Sequence, residues 1–410
     1  MLMNILYDDV ANAVKWISSF GGLEQGGTTR LLYTPEWLAA QNALKDRMTQ
    51  IGMESDFDEI GNLYGRFKGS KYPDEVIMSG SHVDTVFNGG KLDGQLGIIA
   101  ALLAMQYLHQ HYGQPLRTLE LISMAEEEGS RFPYVFWGSK NVFAIADHRD
   151  VNDIEDSNGI KFVDAMKACG FTFKTQPARN DIKAFLEIHI EQGGVLEKEQ
   201  KSIGVVTSIV GQRRYNIRLI GEANHAGTTP MGYRKDAVYA FSQICYQSIN
   251  KAIKVGAPLV LTFGHVEPKP NVVNVVPGEV LFTMDCRHTN KAELVAFTEE
   301  IEADMIRIAK QLDLEIEINR WMDEDPIPMD TKLIHLLEEI CDQEGLSYRV
   351  MHSGAGHDSQ IFAPRVPTAM LFVPSIKGIS HNIAEDTKTE DLVEGIKALT
   401  YALYKLAYQE

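Results

Sequence analysis

The chain has 410 residues, 44% hydrophobic and 23% charged, an ordinary balance for a soluble globular protein but too long for one compact core. Two domains, or three, are expected, and a formal charge of −17 argues against nucleic acid or an anionic membrane as partner. Asp8 and Asp9 fall where a leader peptide would carry basic residues, and the longest apolar runs are about half a bilayer span, so the sequence predicts a cytoplasmic protein.

In chain order, residues 37–51 predict a helix, 76–79 a short buried strand, 94–108 a largely apolar helix and 118–125 another strand. Such alternation predicts parallel βα units in an α/β sheet. From Gln212 the rhythm changes. A strand at 215–220 leads to a helix with Ala237, Phe241, Ile244 and Ile249 at helical spacing, followed by strand candidates at 259–266 and 280–285. A second helix carries Leu294, Phe297, Ile301, Met305, Ile308 and Leu312 on one stripe, and a strand follows at 314–318. The order βαββαβ is that of a ferredoxin-like split unit, with Pro326 and Pro328 at its exit. Helix (331–343), strand (368–373) and helix (390–408) then resume. The simplest account is a discontinuous α/β domain, 1–211 with 329–410, holding a mixed, largely parallel sheet and interrupted by an inserted α+β domain at 212–328. Cys169, Cys245, Cys286 and Cys341 form no CxxC pair and read as reduced thiols.

Candidate chemistry begins at Ser79-Gly80-Ser81-His82-Val83-Asp84-Thr85, where an apolar strand presents His82 with a carboxylate two positions on. Open α/β sheets place ligand sites at the carboxyl ends of strands. Asp84 can orient the second nitrogen of a ligating imidazole. Asp93, at the head of the apolar helix, reads either as a helix cap or as a carboxylate able to bridge two cations. Glu126-Glu127-Glu128-Gly129 ends the second strand, and cations there would relieve the repulsion, leaving one carboxylate as ligand and one as base. His189 alternates with Glu187 and Glu191 on one face of a strand, and His381 lies in a loop beyond 368–373. Three imidazoles with a bridging and a terminal carboxylate suit a pair of Zn²⁺- or Mn²⁺-class ions.

These segments, with 225–230 and 354–358, resemble the dinuclear metallopeptidase family that contains carboxypeptidase G2 and aminoacylase, over essentially the whole chain. Within it the similarity is to the ureido-hydrolysing branch, which acts on N-carbamoyl amino acids, N-carbamoyl-β-alanine or allantoate; the peptidases commonly have a carboxylate at the position of His189. The resemblance implies that His82 and His189 hold one ion and Glu128 and His381 the other, with Asp93 bridging and Asp84 behind His82. Glu127 would be the general base. Glu126 is the rival register, but in the ureido branch the glutamate pair abuts the glycine. His225 would stabilise the oxyanion from a partner subunit of a homodimer, with the inserted domain acting as lid and dimerisation element. Arg287 would take the substrate carboxylate bidentately, Asn274 an amide, and Gly356 would offer backbone. Gln192, Gln212 and Arg214 are further substrate contacts, though Arg214 also reads as a solvated strand residue, and His357 and Asp358 as braces of their loop. The implied substrate is a small ureide, allantoate foremost, with N-carbamoyl-L-amino acids as the alternative. A catalytically silent metal-dependent binding protein is the reading from another class, and the intact base and ligand set disfavour it.

Overall fold

The computed structural model describes residues 7–174 and 176–410; the first six residues of the stretch read for a leader lie outside them. The chain divides into two compact units, one formed by Met1–Thr207 with Met329–Glu410 and the other by Ser208–Pro328.

The first unit is built on four neighbouring parallel strands in the order Arg117–Met124, Tyr72–His82, Ile182–Ile190 and Thr368–Val373. Antiparallel strands extend it: Leu63–Phe67 and Glu54–Phe57 on one side, Ile203–Ile209 on the other. Thr368–Val373 is buried along its whole length and Arg117–Met124 along nearly all of it, the signature of a sheet covered on both faces. Helix Gln95–Tyr112 is apolar almost all round, and it packs against the long helix Thr389–Tyr408. The sequence pattern at 76–79 understates its strand, which runs over Tyr72–His82; the four residues before Val76 are not buried and include Asp74 and Glu75, so they lack the apolar signal.

Register decides where chemistry can sit. His82 lies opposite Met124, and His189 opposite Phe372, so the adjacent strands all end at one edge of the sheet. Trp37 ties this edge to the layer outside it. Its helix, Pro35–Gln50, starts with a Thr34 side-chain cap and a proline in the first turn, and the fully buried indole donates from Nε1 to the Ala125 carbonyl at 2.8 Å.

In the second unit the strands Val266–Lys269, Glu279–His288, Gly211–Ile220 and Glu315–Glu324 pair antiparallel in that order. Burial alternates strictly along Glu279–His288, with Val280, Phe282, Met284 and Cys286 turned to the core. Helices Ala237–Val255 and Lys291–Gln311, capped by Asp236 and Asn290, cover that face. The single strand expected at 259–266 is a misreading. Val260–Thr262 and Val266–Lys269 are separate short strands, both paired with Glu279–His288. Both run antiparallel to it with the register slipped by one residue between Thr262 and Val266, a local break that the run of β-branched and aromatic residues hides.

Trp37→Phe should keep most of the packing but leave the Ala125 carbonyl without its donor, costing about 1–3 kcal/mol. Trp37→Ala should cost about 3–5 kcal/mol. Urea unfolding of the two variants against the parent checks both, and equal stability of all three would contradict the role given to the indole.

Candidate active site

Asp93 is the centre of the site. It is nearly buried, and its two oxygens face different partners. Oδ1 lies 3.0 Å from His189 Nε2 and 3.5 Å from His82 Nε2. Oδ2 lies 3.3 Å from His381 Nε2 and accepts from Gln192 Nε2 at 2.9 Å and from Ser380 Oγ at 3.0 Å. The helix cap next to it is Gly94, with no side-chain hydrogen bond, so the capping reading of Asp93 is overturned. Gly94 also has to be glycine: at φ +67 its missing Cβ would fall 2.4 Å from His82 Cε1.

The imidazoles are preset. His82 Nδ1 faces two acceptors, the Asp84 carboxylate at 3.2 Å and the Asp84 carbonyl at 3.1 Å, so it carries the hydrogen and turns Nε2 inward. His189 does the same against the Ile190 carbonyl at 2.9 Å. An outward N–H held by a carboxylate or carbonyl is the usual support of a metal-ligating histidine. Asp84 has a second task, accepting from the backbone N–H groups of Glu127 and Glu128. That loop thereby takes its shape from the same carboxylate that orients His82.

Three groupings follow, with ligand atoms all within 4.8 Å of one another: His82, Asp93 and His189; His82, Glu127 and Glu128; and Asp93, Glu128 and His381. Asp93 is common to the first and third. Glu126 takes no part in them, because its carboxylate folds back to accept from Gly129 N–H and it is buried. Oxygen and imidazole donors in two groups sharing a carboxylate fit divalent ions of the Zn²⁺ or Mn²⁺ class.

Electrostatics of the metal-free site agree with that fit. Burial opposes ionisation of Asp93, but the neighbouring imidazoles, His189 foremost, hold its carboxyl well below the usual range. Burial pushes the Glu127 carboxyl well up, and Glu128 up as well. Burial disfavours a charged His82, yet Asp84 and Asp93 outweigh it and raise the imidazole well above its ordinary value. Hydrogen bonds to Asp93 and Glu128 push His381 up to about 11.

Other residues singled out from the sequence fall in several places. Gln192, expected at the substrate, has its amide on Asp93. Glu191 lies one residue past its strand, not on the face shared by Glu187 and His189, and accepts from Val195 and Leu196 at the start of helix Val195–Glu199. A side chain on Gly356 would reach Gln360 Oε1 at 2.9 Å and Phe136 Cζ at 3.3 Å. His357 braces its loop through Ser353 at 2.9 Å. Asp358 is wholly buried, with its carboxyl pushed up to about 8 by burial first and Glu187 next.

In the second unit, Arg287 pairs with Asp285 through Nε and Nη2 at 3.0 and 2.9 Å, and Arg214 reaches the same carboxylate at 2.9 Å. Arg214 also lies over Trp321, 5.7 Å from the ring, so it is anchored and not a freely solvated strand residue. Gln212 donates to Glu324 at 3.3 Å. His225 sits on a two-stranded ladder opposite Val275, and Ala226 N–H donates to the Asn274 carbonyl. The His225 Nδ1 accepts from Gly227 N–H and Thr228 N–H at 3.0 and 3.2 Å, which assigns the ring hydrogen to Nε2.

Sequence reasoning missed three buried supports. Glu187 accepts from Ser81 Oγ, Ser359 N–H and Ser359 Oγ. Arg30 donates to the carbonyls of Val83, Ile17 and Phe20 beneath the His82 loop. Glu385 holds the Asp93 backbone. Glu187 carried one signal, a charged residue within an apolar strand, whereas Arg30 and Glu385 lie in mixed loops and carried none.

Residues 78–405 match peptidase family M20/M25/M40, and the chain belongs to that family. It is 61% identical to the allantoate amidohydrolase of Escherichia coli (strain K12) over 98% of both chains. It is 44% identical to the allantoate amidohydrolase of Bacillus subtilis (strain 168), again over 98% of both. Its fold is similar to the crystal structure of an amidase of the hydantoinase/carbamoylase family from Burkholderia multivorans, with a TM-score of 0.93, 30% identity and 97% of each chain covered.

Because His82, His189 and His381 are raised in the metal-free chain, a divalent ion has to displace protons from them. Apparent metal affinity should therefore rise with pH, and binding should release protons. Calorimetry in two buffers of different ionisation enthalpy checks this, and an affinity flat between about pH 6 and 8 would contradict it.

Proposed function

We propose that this chain is a metal-dependent hydrolase that cleaves a ureido C–N bond of allantoate, giving ureidoglycine and carbamate, which decomposes to ammonia and carbon dioxide. The observation that carries the chemistry is the Asp93 carboxylate shared between an imidazole pair on one oxygen and His381 on the other. Allantoate as substrate is supported by the two relatives of that name at 61% and 44% identity, against 30% for the hydantoinase/carbamoylase structure.

In this reading His82 and His189 would hold one ion and Glu128 and His381 the other, with Asp93 available to both groups. When bound, the ions supply Lewis-acid polarisation and make water a nucleophile near neutral pH. Glu127 takes a proton from the attacking water and returns it to the departing nitrogen. Its place beside His82 and Glu128 favours it over Glu126, whose carboxylate is occupied by Gly129. His225 donates from Nε2 to the oxygen of the tetrahedral carbon. Two backbone donors on Nδ1 support that role by leaving the ring only one hydrogen to give, at Nε2. The planar guanidinium of Arg287, with Arg214 meeting it on Asp285, suits the substrate carboxylate, and Asn274, whose carbonyl takes the N–H of Ala226 next to His225, suits an amide. Gly356 offers backbone to the substrate, and Gln212 a polar side chain.

The protein acts as a homodimer in the cytoplasm. Four free cysteines support the compartment. The exposed Tyr239, Tyr246 and Ile253, at heptad spacing on one helix of the second unit, support the dimer, whose interface that unit would provide.

Metal-reconstituted protein given allantoate and N-carbamoyl-L-amino acids side by side should show the higher kcat/KM for allantoate; the reverse order would make it a carbamoylase. Glu127→Gln should lower turnover on the order of 10²–10⁴-fold with metal content unchanged. Loss of metal from Glu127→Gln but not from Glu128→Gln would move the base by one residue. Mixed dimers of Glu127→Gln and His225→Ala chains should regain activity if His225 serves the partner's site. Persisting inactivity in verified mixed dimers would confine His225 to its own chain or remove it from the reaction.

A further inference from the structure

We propose that Glu385 is a positioning residue that locks Asp93 in the orientation its two sets of partners require. The inference rests on the reading of Asp93 as a metal ligand and goes beyond it, since it concerns a side chain that no ion would touch.

Glu385 is only 2% exposed, and both its oxygens are committed. Oε1 accepts the backbone N–H groups of Leu92 and Asp93, each at 3.0 Å. Oε2 lies 3.0 Å from Ser380 Oγ, and the same hydroxyl lies 3.0 Å from Asp93 Oδ2. A hydroxyl has one hydrogen, so Ser380 is shared between two carboxylates and ties their positions together. Glu385 thus grips Asp93 twice, through its own backbone and through the hydroxyl on its side chain. The serine is next to His381, whose Nε2 faces that same Asp93 oxygen at 3.3 Å. One carboxylate therefore joins the loop of the shared ligand to the loop of the third histidine, nearly three hundred residues away in sequence.

The chain makes room for this grip. A Cβ on Gly90 would fall 1.9 Å from Glu385 Oε1, so the loop can close over the carboxylate only with glycine there. Burying a second carboxylate beside Asp93 is costly, and a neutral side chain would staple the two loops at lower cost. Positioning explains the arrangement: two acceptor oxygens at fixed separation hold both the peptide and the hydroxyl that set the Asp93 rotamer.

The test measures metal, with no substrate present, in the full chain. Glu385→Ala should bind Co²⁺ about 10–100-fold more weakly than the parent and shift the visible absorption of the bound ion. In a separate assay with allantoate, its kcat should fall while KM stays within about threefold, the split expected when only the transition state loses support. Glu385→Gln keeps the Oε1 acceptor and should recover most of the affinity. Ser380→Ala, which leaves the backbone contacts in place, should weaken Co²⁺ binding in the same direction. Parental affinity and spectrum in Glu385→Ala would overturn the proposal. If that variant does not fold by far-UV circular dichroism, parental behaviour of Ser380→Ala overturns it instead. A parent that binds metal but does not hydrolyse allantoate would sink the functional reading and leave this test intact, because affinity and spectrum are read without substrate.

Discussion

A single buried carboxylate organises the site. Burial works against the charge of Asp93, and the imidazoles of His189, His381 and His82 hold its carboxyl down, with an amide and a hydroxyl on one of the same oxygens. Those donors come from strand ends and loops widely separated in the chain, so the carboxylate can exist only if the parallel sheet brings them to one edge. The register does so, with His82 and Met124 ending their strands side by side and His189 aligned with Phe372. An unpaired carboxylate at this depth would be strongly destabilising, which makes the site and the local fold interdependent.

A second layer stands behind that cluster. Asp84 orients His82 and shapes the Glu127–Glu128 turn at once, so the imidazole and the glutamates cannot move independently. Trp37 holds the carbonyl just before that turn, and Arg30 fills the space under the loop that follows His82 with three carbonyl contacts. Such supports keep an arrangement of like charges preorganised. The second unit has the opposite character. Its antiparallel sheet buries one face, as the alternation along Glu279–His288 shows, and Arg214 and Arg287 meet there on the Asp285 carboxylate.

Membership in a peptidase family does not by itself specify the bond cleaved, because a fold hosts many substrates. His189 is informative here. If it holds an ion as proposed, an imidazole there leaves that set one negative charge lighter than a carboxylate would.

Much of this was legible along the chain. Helices and strands follow from periodicity, which is a local property, and the split βαββαβ order of the second unit emerges from six such local readings. His82, Glu128 and His189 stood out as polar residues at or near the ends of apolar strands, whereas Asp93 at a helix head and His381 in a loop joined them as members of a set that the family resemblance implied. What the sequence left open was settled by contacts between distant segments. Asp93 reads equally as a cap or as a shared carboxylate until three histidines surround it. Glu126 and Glu127 are rival registers along the chain; in the structure one folds back on Gly129 and the other lies beside His82. Gln192 turned to Asp93, and Glu385 gripping its backbone, have no local signature at all. Pattern along a chain records which face of an element is apolar. Only the folded structure decides which polar group meets which, because each such meeting depends on the register and closure of segments hundreds of residues apart.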